Sequence, residues 1–142
     1  MSRVFVDSNV FIYASGSPHP LQEPARTSMH AIGSGAVEGV TSVEVLQELL
    51  HRCLTRSDRA KALGAFDMLH RLFGAGRVLP VNDATIGRAR ELAGPWPTLR
   101  ARDLVHLATM EQHGIDEIMS TDRHFDGIPG ITRIDPRQVA SP

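Results

Sequence analysis

The chain is 142 residues long, 42% hydrophobic and 22% charged, which fits one globular domain and excludes a disordered chain. Its 15 basic residues stand against 16 acidic ones and aromatics are only 5%, so composition announces neither a strongly cationic nucleic-acid binder nor a base-stacking surface. A single cysteine, Cys53, excludes an internal disulfide framework and a cysteine-based zinc site, and suits a reducing compartment.

Residues 3–6 (Arg-Val-Phe-Val) form a short β-branched and aromatic run that reads as a first strand and ends at Asp7-Ser8-Asn9. Residues 4–14 are apolar enough to suggest an export signal, but Asp7 and Asn9 interrupt them. No other apolar run nears the roughly 18 residues of a spanning helix, so a cytoplasmic protein without membrane contact is expected. Residues 15–24 are rich in Gly, Ser and Pro and read as a loop, with Pro24 placed to open a helix that ends at Gly33-Ser34-Gly35. Residues 39–41 predict a very short second strand, passing at once into a helix over 42–54 with Val45, Leu46, Leu49 and Leu50 on one face.

Asp58 is placed to cap a further helix carrying Leu63, Phe66, Leu69 and Leu72. A third strand is predicted over 77–81, then a helix capped by Asn82 or Asp83 and running to about residue 93. Gly94-Pro95-Trp96-Pro97 enforces a loop, residues 100–113 are helical up to Gly114, and strands follow over 117–119 and 131–134. A polar tail is expected over about 137–142. Strands separated by helices require crossover connections, so the predicted fold is a single α/β domain filling 1–142. Its parallel central sheet of about five strands is flanked by helices.

Sites on open parallel sheets form beyond the carboxyl ends of the strands, and that rule selects acids from several segments. Asp7 follows the first strand, Glu44 and Glu48 lie in the first two turns after the second, and Asp122 and Asp126 follow the fourth. Asp103 opens its own helix and faces the same edge. Acids crowded together repel unless cations lie between them, and hard divalent ions with oxygen ligands, Mg²⁺ or Mn²⁺, fit that role. Most of these acids also have a structural use, and Asp7 could serve as a turn or cap residue. Glu44 stands three residues after Thr41, the spacing of a capping box, whereas Glu48 has no capping role. Asp103 suits a helix dipole, and Asp122 and Asp126 suit a turn.

Taken together, these segments resemble the PIN-domain family. Val-Phe-Val-Asp-Ser-Asn-Val-Phe-Ile-Tyr (4–13) is similar to its opening strand and acid, and Thr-Ser-Val-Glu-Val-Leu-Gln-Glu-Leu (41–49) to its second motif, with Ser42 and Glu48. Arg-Ala-Arg-Asp-Leu-Val-His-Leu-Ala (100–108) resembles the third and Ser-Thr-Asp-Arg-His-Phe-Asp (120–126) the fourth. The motifs keep their order over residues 3 to about 136, and the small size points to VapC-type toxins of bacterial toxin–antitoxin pairs. The resemblance implies a Mg²⁺- or Mn²⁺-dependent endoribonuclease binding one or two ions, with an acidic site at the carboxyl edge of the sheet. Asp7 and Asp103 would be ligands, Glu48 and Asp122 would complete the cluster, and Asn9 would position Asp7 or a bound water. Ser120 is a supporting residue; Glu44 competes with Glu48 for the second position, and Asp126 with Asp122 for the fourth.

The pairs Glu48–His51 and Asp103–His106 suggest the Glu-x-x-His units of di-iron bundles, but Gly and Pro divide the chain into βα units where four long helices would be needed. Phosphatases and receiver domains place an Asp after strand one and a lysine beyond a later strand; the only lysine, Lys61, follows strand two. Fourteen of the fifteen basic residues are arginine, suited to phosphate, and Arg100 and Arg102, just before Asp103, are candidate RNA-phosphate contacts. Without Asp7, Glu48, Asp103 and Asp122, the remainder carries 15 basic against 12 acidic residues, a mildly basic shell around an acidic centre.

The resemblance further implies a VapB-type antitoxin and hetero-oligomers with it. The apolar faces Leu46, Leu50, Cys53 and Leu63, Phe66, Leu69, Phe73 form an antitoxin groove, a homodimer surface, or a helical hairpin packed on itself. A metal-dependent nuclease on structured DNA and a non-catalytic binding module of the same fold are the competing functional readings.

Overall fold

The computed structural model describes residues 2–74 and 76–140. Five parallel strands form the sheet: β1 (Arg3–Val6), β2 (Glu38–Ser42), β3 (Val78–Leu79), β4 (Glu117–Met119) and β5 (Thr132–Ile134). Their order is β3-β2-β1-β4-β5, so the chain builds outward from β1 in one direction, then returns to its other side. The connections therefore diverge at the carboxyl ends of β1 and β4, the place where open parallel sheets make clefts. The parallel α/β sheet expected from the sequence is present. Val4, Phe5 and Val6 are buried together, as are Ile118 and Met119, because parallel strands covered on both faces need continuous apolar runs.

The helices are α1 (Ser8–Ser15), α2 (Gln22–Ser34), α3 (Val43–Leu54), α4 (Arg59–Phe73), α5 (Asp83–Leu92), α6 (Ala101–Gln112) and α7 (Pro136–Ala140). Helix α1 packs on α2 and α3, α2 on α7, α3 on α4, and α5 on α6. Phe11 of α1 meets Phe73 of α4 edge to face, ring centroids 5.6 Å apart. With Phe5 and Phe125 they are fully buried, each contributing about 1.5–3 kcal/mol of hydrophobic stabilisation. Asp103 to Met110 of α6 are all buried, so this helix runs through the interior. Gly39 of β2 passes so close to α2 that an added Cβ would lie 3.0 Å from Ile32.

Three sequence expectations are corrected, and residues 8–14, to which no element was assigned, gain one. Residues 8–15 are helical, because Asp7 caps them and their apolar face is buried against α2 and α3. Helix α2 begins at Gln22, with Pro24 still in the first turn, where no helical partner awaits its missing N–H. Ser42, and not Thr41, caps α3: its Oγ accepts from the Val45 N–H at 3.2 Å, while the Thr41 hydroxyl donates to the Val6 carbonyl at 3.1 Å. The expected polar tail is helical from Pro136 to Ala140, started by Asp135, whose carboxylate accepts from the Arg137 N–H; residues 141–142 lie outside the described residues. No helix among the described residues is long and apolar enough to cross a membrane.

Candidate active site

Asp7 ends β1 and caps α1. Its own N–H donates to the Met119 carbonyl at 3.0 Å, continuing the β1–β4 ladder, while its Oδ1 accepts from the Ser8 N–H at 2.7 Å. Its Oδ2 accepts from the Ser120 hydroxyl at 2.7 Å and the Asn9 amide at 3.1 Å. His106 of α6, buried against Phe5, places Nε2 3.4 Å from Oδ1, too poorly aligned for a formed hydrogen bond; among the described residues neither ring nitrogen has a hydrogen-bond partner. Burial pushes the Asp7 carboxyl up, but His106, the Ser120 hydroxyl and the Ser8 N–H outweigh it and hold the group below the ordinary carboxylate range. A buried carboxylate is thus kept ionised.

Ser120 is the hub behind it. Its Oγ donates once, to Asp7, and accepts twice, from the Asn9 amide at 3.0 Å and the Asp122 N–H at 3.0 Å, which exhausts a hydroxyl. The Asn9 side-chain oxygen in turn accepts from the Thr121 N–H at 3.1 Å. Asn9 therefore ties α1 to the loop after β4 while orienting Asp7.

Asp103 and Asp122 face each other across the α6 N-terminus. Asp103 is buried and accepts from the Arg100 N–H at 3.2 Å, holding the first turn of α6. Asp122 begins a 3₁₀ turn over Arg123–Phe125, its Oδ1 accepting from the His124 N–H at 2.9 Å and lying 3.0 Å from His124 Nδ1. The Arg100 guanidinium lies 3.8 Å from each carboxylate. Asp103, Asp122 and His124 offer ligand atoms all within 4.8 Å of one another, the one such group among the described residues. His124 was not singled out by sequence reasoning; its signal was the position two residues after Asp122, where a tight turn returns a side chain to the capping acid.

Glu48 reaches the same region from α3, one oxygen bonded to Arg102 of α6 and the other, Oε2, buried without a hydrogen-bond partner among the described residues. Glu44, half-buried in the first turn of α3, joins neither the Asp7 network nor the Asp103–Asp122–His124 group. Asp126 is drawn away: its carboxylate pairs with Arg133 of β5 at 2.8 and 3.3 Å. His51 is exposed on α3 while His106 is buried on α6, and among the described residues the two acid–histidine pairs form no common ligand group. The Asp103–Asp122–His124 group fits a divalent cation, since its donors are mostly carboxylate oxygen; Glu48, whose second oxygen is buried and unpartnered among the described residues, is tied beside it through Arg102 and is not a member of the group.

Away from these acids, α1, α3 and α4 enclose a cleft of about 400 Å³, lined by Phe11, Ile12, Cys53, Ala62, Phe66 and Leu69, with Arg52, Arg56 and Lys61 among its edges. Helices α3 and α4 do pack as a hairpin, yet leave this apolar floor open. Val43, Leu50 and Leu54 form a separate exposed stripe along one face of α3.

The model of the PIN-domain family matches residues 4–131. Ribonuclease VapC13 of Mycobacterium tuberculosis is 37% identical over 92% of this chain and 98% of its own length. Ribonuclease VapC23 of the same species is 36% identical over 84% and 92%. Among solved structures, the DNA-bound VapBC complex of Salmonella typhimurium contains a chain that superposes with a TM-score of 0.71 at 19% identity, covering 96% of this chain and 99% of that one. VapC20 of Mycobacterium tuberculosis, a sarcin–ricin loop-cleaving toxin, superposes with a TM-score of 0.67 at 20% identity over 84% and 90%.

Proposed function

Since the chain belongs to the PIN-domain family and to its VapC ribonucleases, we propose that it is a divalent-cation-dependent endoribonuclease, the toxin of a toxin–antitoxin pair, that hydrolyses RNA phosphodiester bonds. One observation carries the reading: acids from four chain segments approach the β1–β4 switch point, where Asp7 is held ionised and Asp103 and Asp122 face each other. Asp103 and Asp122 would hold the ion, with Asp7 and the free oxygen of Glu48 completing the acidic cluster. When bound, Mg²⁺ or Mn²⁺ supplies acidity to a water and neutralises charge gathering on the phosphate.

The residues of the chain do the rest. Ser120 and Asn9 fix both the orientation and the charge of Asp7, so that its carboxylate acts as a ligand or an acceptor for the attacking water without reorganising. Arg102 is committed to Glu48, whereas Arg100 is 63% exposed and held only at 3.8 Å. Arg100 is therefore the better phosphate contact of the two. Attack by water, and not by the RNA 2′-hydroxyl, would leave 5′-phosphate and 3′-hydroxyl ends. An antitoxin helix of VapB type would fill the α1–α3–α4 cleft, and the α3 stripe Val43, Leu50, Leu54 would suit a second copy of the chain.

The test is digestion of tRNA, ribosomal RNA and duplex DNA by antitoxin-free protein with Mg²⁺, Mn²⁺ or EDTA. RNA cleavage is expected with either ion and lost with EDTA, and Asp103→Asn should lower it by about a hundredfold or more with the fold intact. Cleavage of DNA alone would select the competing nuclease reading. Full cleavage by Asp103→Asn, or none by the wild type under any ion, would sink the proposal.

A further inference from the structure

Resting on the cation-dependent reading above, we propose that His124 is itself a ligand of the ion, so that this site offers two carboxylates and one imidazole and favours Mn²⁺ over Mg²⁺. The 3₁₀ turn that carries His124 is fixed at both ends. Asp122 caps it through the His124 N–H at 2.9 Å, and Phe125 anchors its far end with no exposed surface. That turn returns the ring over its own cap, placing Nδ1 3.0 Å from Asp122 Oδ1. Two neighbouring ligands on a six-coordinate ion with bonds of about 2.1 Å lie about 3.0 Å apart, and opposite ligands about 4.2 Å. The Asp122–His124 spacing meets the first value, and Asp103 offers its oxygen within 4.8 Å of both, at most about 0.6 Å beyond the second, a gap that a small side-chain rotation closes.

An ion pair between Asp122 and His124 would account for the contact between those two alone. It would not require a third donor from a different helix within the same reach, and Asp103 is that donor. Nor is the ring needed for packing, being 57% exposed. Arg100, the cation now nearest both acids, is also largely exposed and anchored to neither at hydrogen-bond distance, so it can withdraw. Carboxylate oxygens suit Mg²⁺ and Mn²⁺ alike, whereas an imidazole nitrogen favours the transition ion. The identity of residue 124 thus sets metal preference while Asp103 sets metal binding.

The experiment measures binding, not turnover. Antitoxin-free full-length protein is titrated calorimetrically with MnCl₂ and with MgCl₂, and the Mn²⁺-loaded protein is examined by electron spin-echo spectroscopy for a directly bound nitrogen. The wild type should show the nitrogen coupling. H124A should lose it and about tenfold in Mn²⁺ affinity, with Mg²⁺ affinity changed by less than about twofold, while D103N weakens both ions. A coupling that is absent from the wild type or persists in H124A overturns the inference, as does an equal loss for both ions. If D103N abolishes binding and H124A does not alter the Mn²⁺ to Mg²⁺ ratio, only the role of His124 falls. If the wild type binds neither ion, the cation-dependent reading falls with it.

Discussion

On the β1–β4 side of the site, Asp7 is 6% exposed and both carboxylate oxygens are hydrogen-bonded; across the cleft, Asp122 keeps 20% of its side chain open and its nearest guanidinium stands 3.8 Å away. The first side is finished before any ligand arrives. Its bonds join α1 to the loop after β4, and a brace behind them extends to β5, where Arg133 donates to the Ser120 carbonyl at 3.0 Å while pairing with Asp126 and Asp135. The second side is left under-bonded, with acids whose mutual repulsion only a cation relieves. Rigid positioning and open coordination are thereby assigned to different elements, the former to strand ends and the latter to a helix terminus and a turn.

Removing the Ser120 hydroxyl attacks the finished side at its centre. Ser120→Ala deprives Asp7 of one of its two shortest bonds and leaves the Asp122 N–H and the Asn9 amide short of an acceptor. The expected cost is about 1–3 kcal/mol in urea unfolding. RNA cleavage should fall about 10–100-fold, the range for partners that orient metal ligands. A variant with wild-type stability and rate would show that Asp7 is held by the strand end alone.

The brace can be tested by acid. Arg137, opposed by partial burial and helped by Arg133, holds the Asp135 carboxyl at about 2, below its unfolded value of about 3.9. A depressed folded value contributes stability above the unfolded one and loses it as pH falls through the folded one. The gap between wild type and Asp135→Asn should therefore be full at pH 6, about 1 kcal/mol because Arg137 is open to solvent, and shrink between about pH 4 and 2. A gap independent of pH would mean that the Asn variant suffers from lost packing and not from lost charge.

These two sides also differ in how far the sequence discloses them. Strands and buried helices announced themselves by apolar runs and caps, as in β1, α3, α6 and β4, and the sheet-edge rule selected Asp7, Glu44, Glu48, Asp103, Asp122 and Asp126 without ranking them. Helix α1 escaped because its short run, Val10 to Tyr13, has no polar face to reveal a helical period. Helix α7 was legible in principle, as Asp135-Pro136 is an N-cap followed by a first-turn proline. What no local pattern carries is pairing at a distance: Glu48 with Arg102, or Ser120 with Asp7. The choice between Asp122 and Asp126 likewise depends on Arg133, an arginine that becomes a partner only once β5 docks beside β4.

Arg100 provides the smallest and most discriminating test of the open side. Its guanidinium is paired with both Asp103 and Asp122, yet at 3.8 Å and 63% exposed it contributes little, so Arg100→Ala should cost less than about 1 kcal/mol in urea without added Mn²⁺. That cost should fall further in high salt, which screens exposed pairs. Saturating Mn²⁺ should remove it, because an ion between the two acids supplies the charge that the guanidinium gave up. Unfolding of wild type and variant with and without Mn²⁺ measures the difference directly. A loss above about 2 kcal/mol, or one that survives saturating Mn²⁺, would mean that Arg100 is a structural member of the α6 terminus and that the second side is as finished as the first.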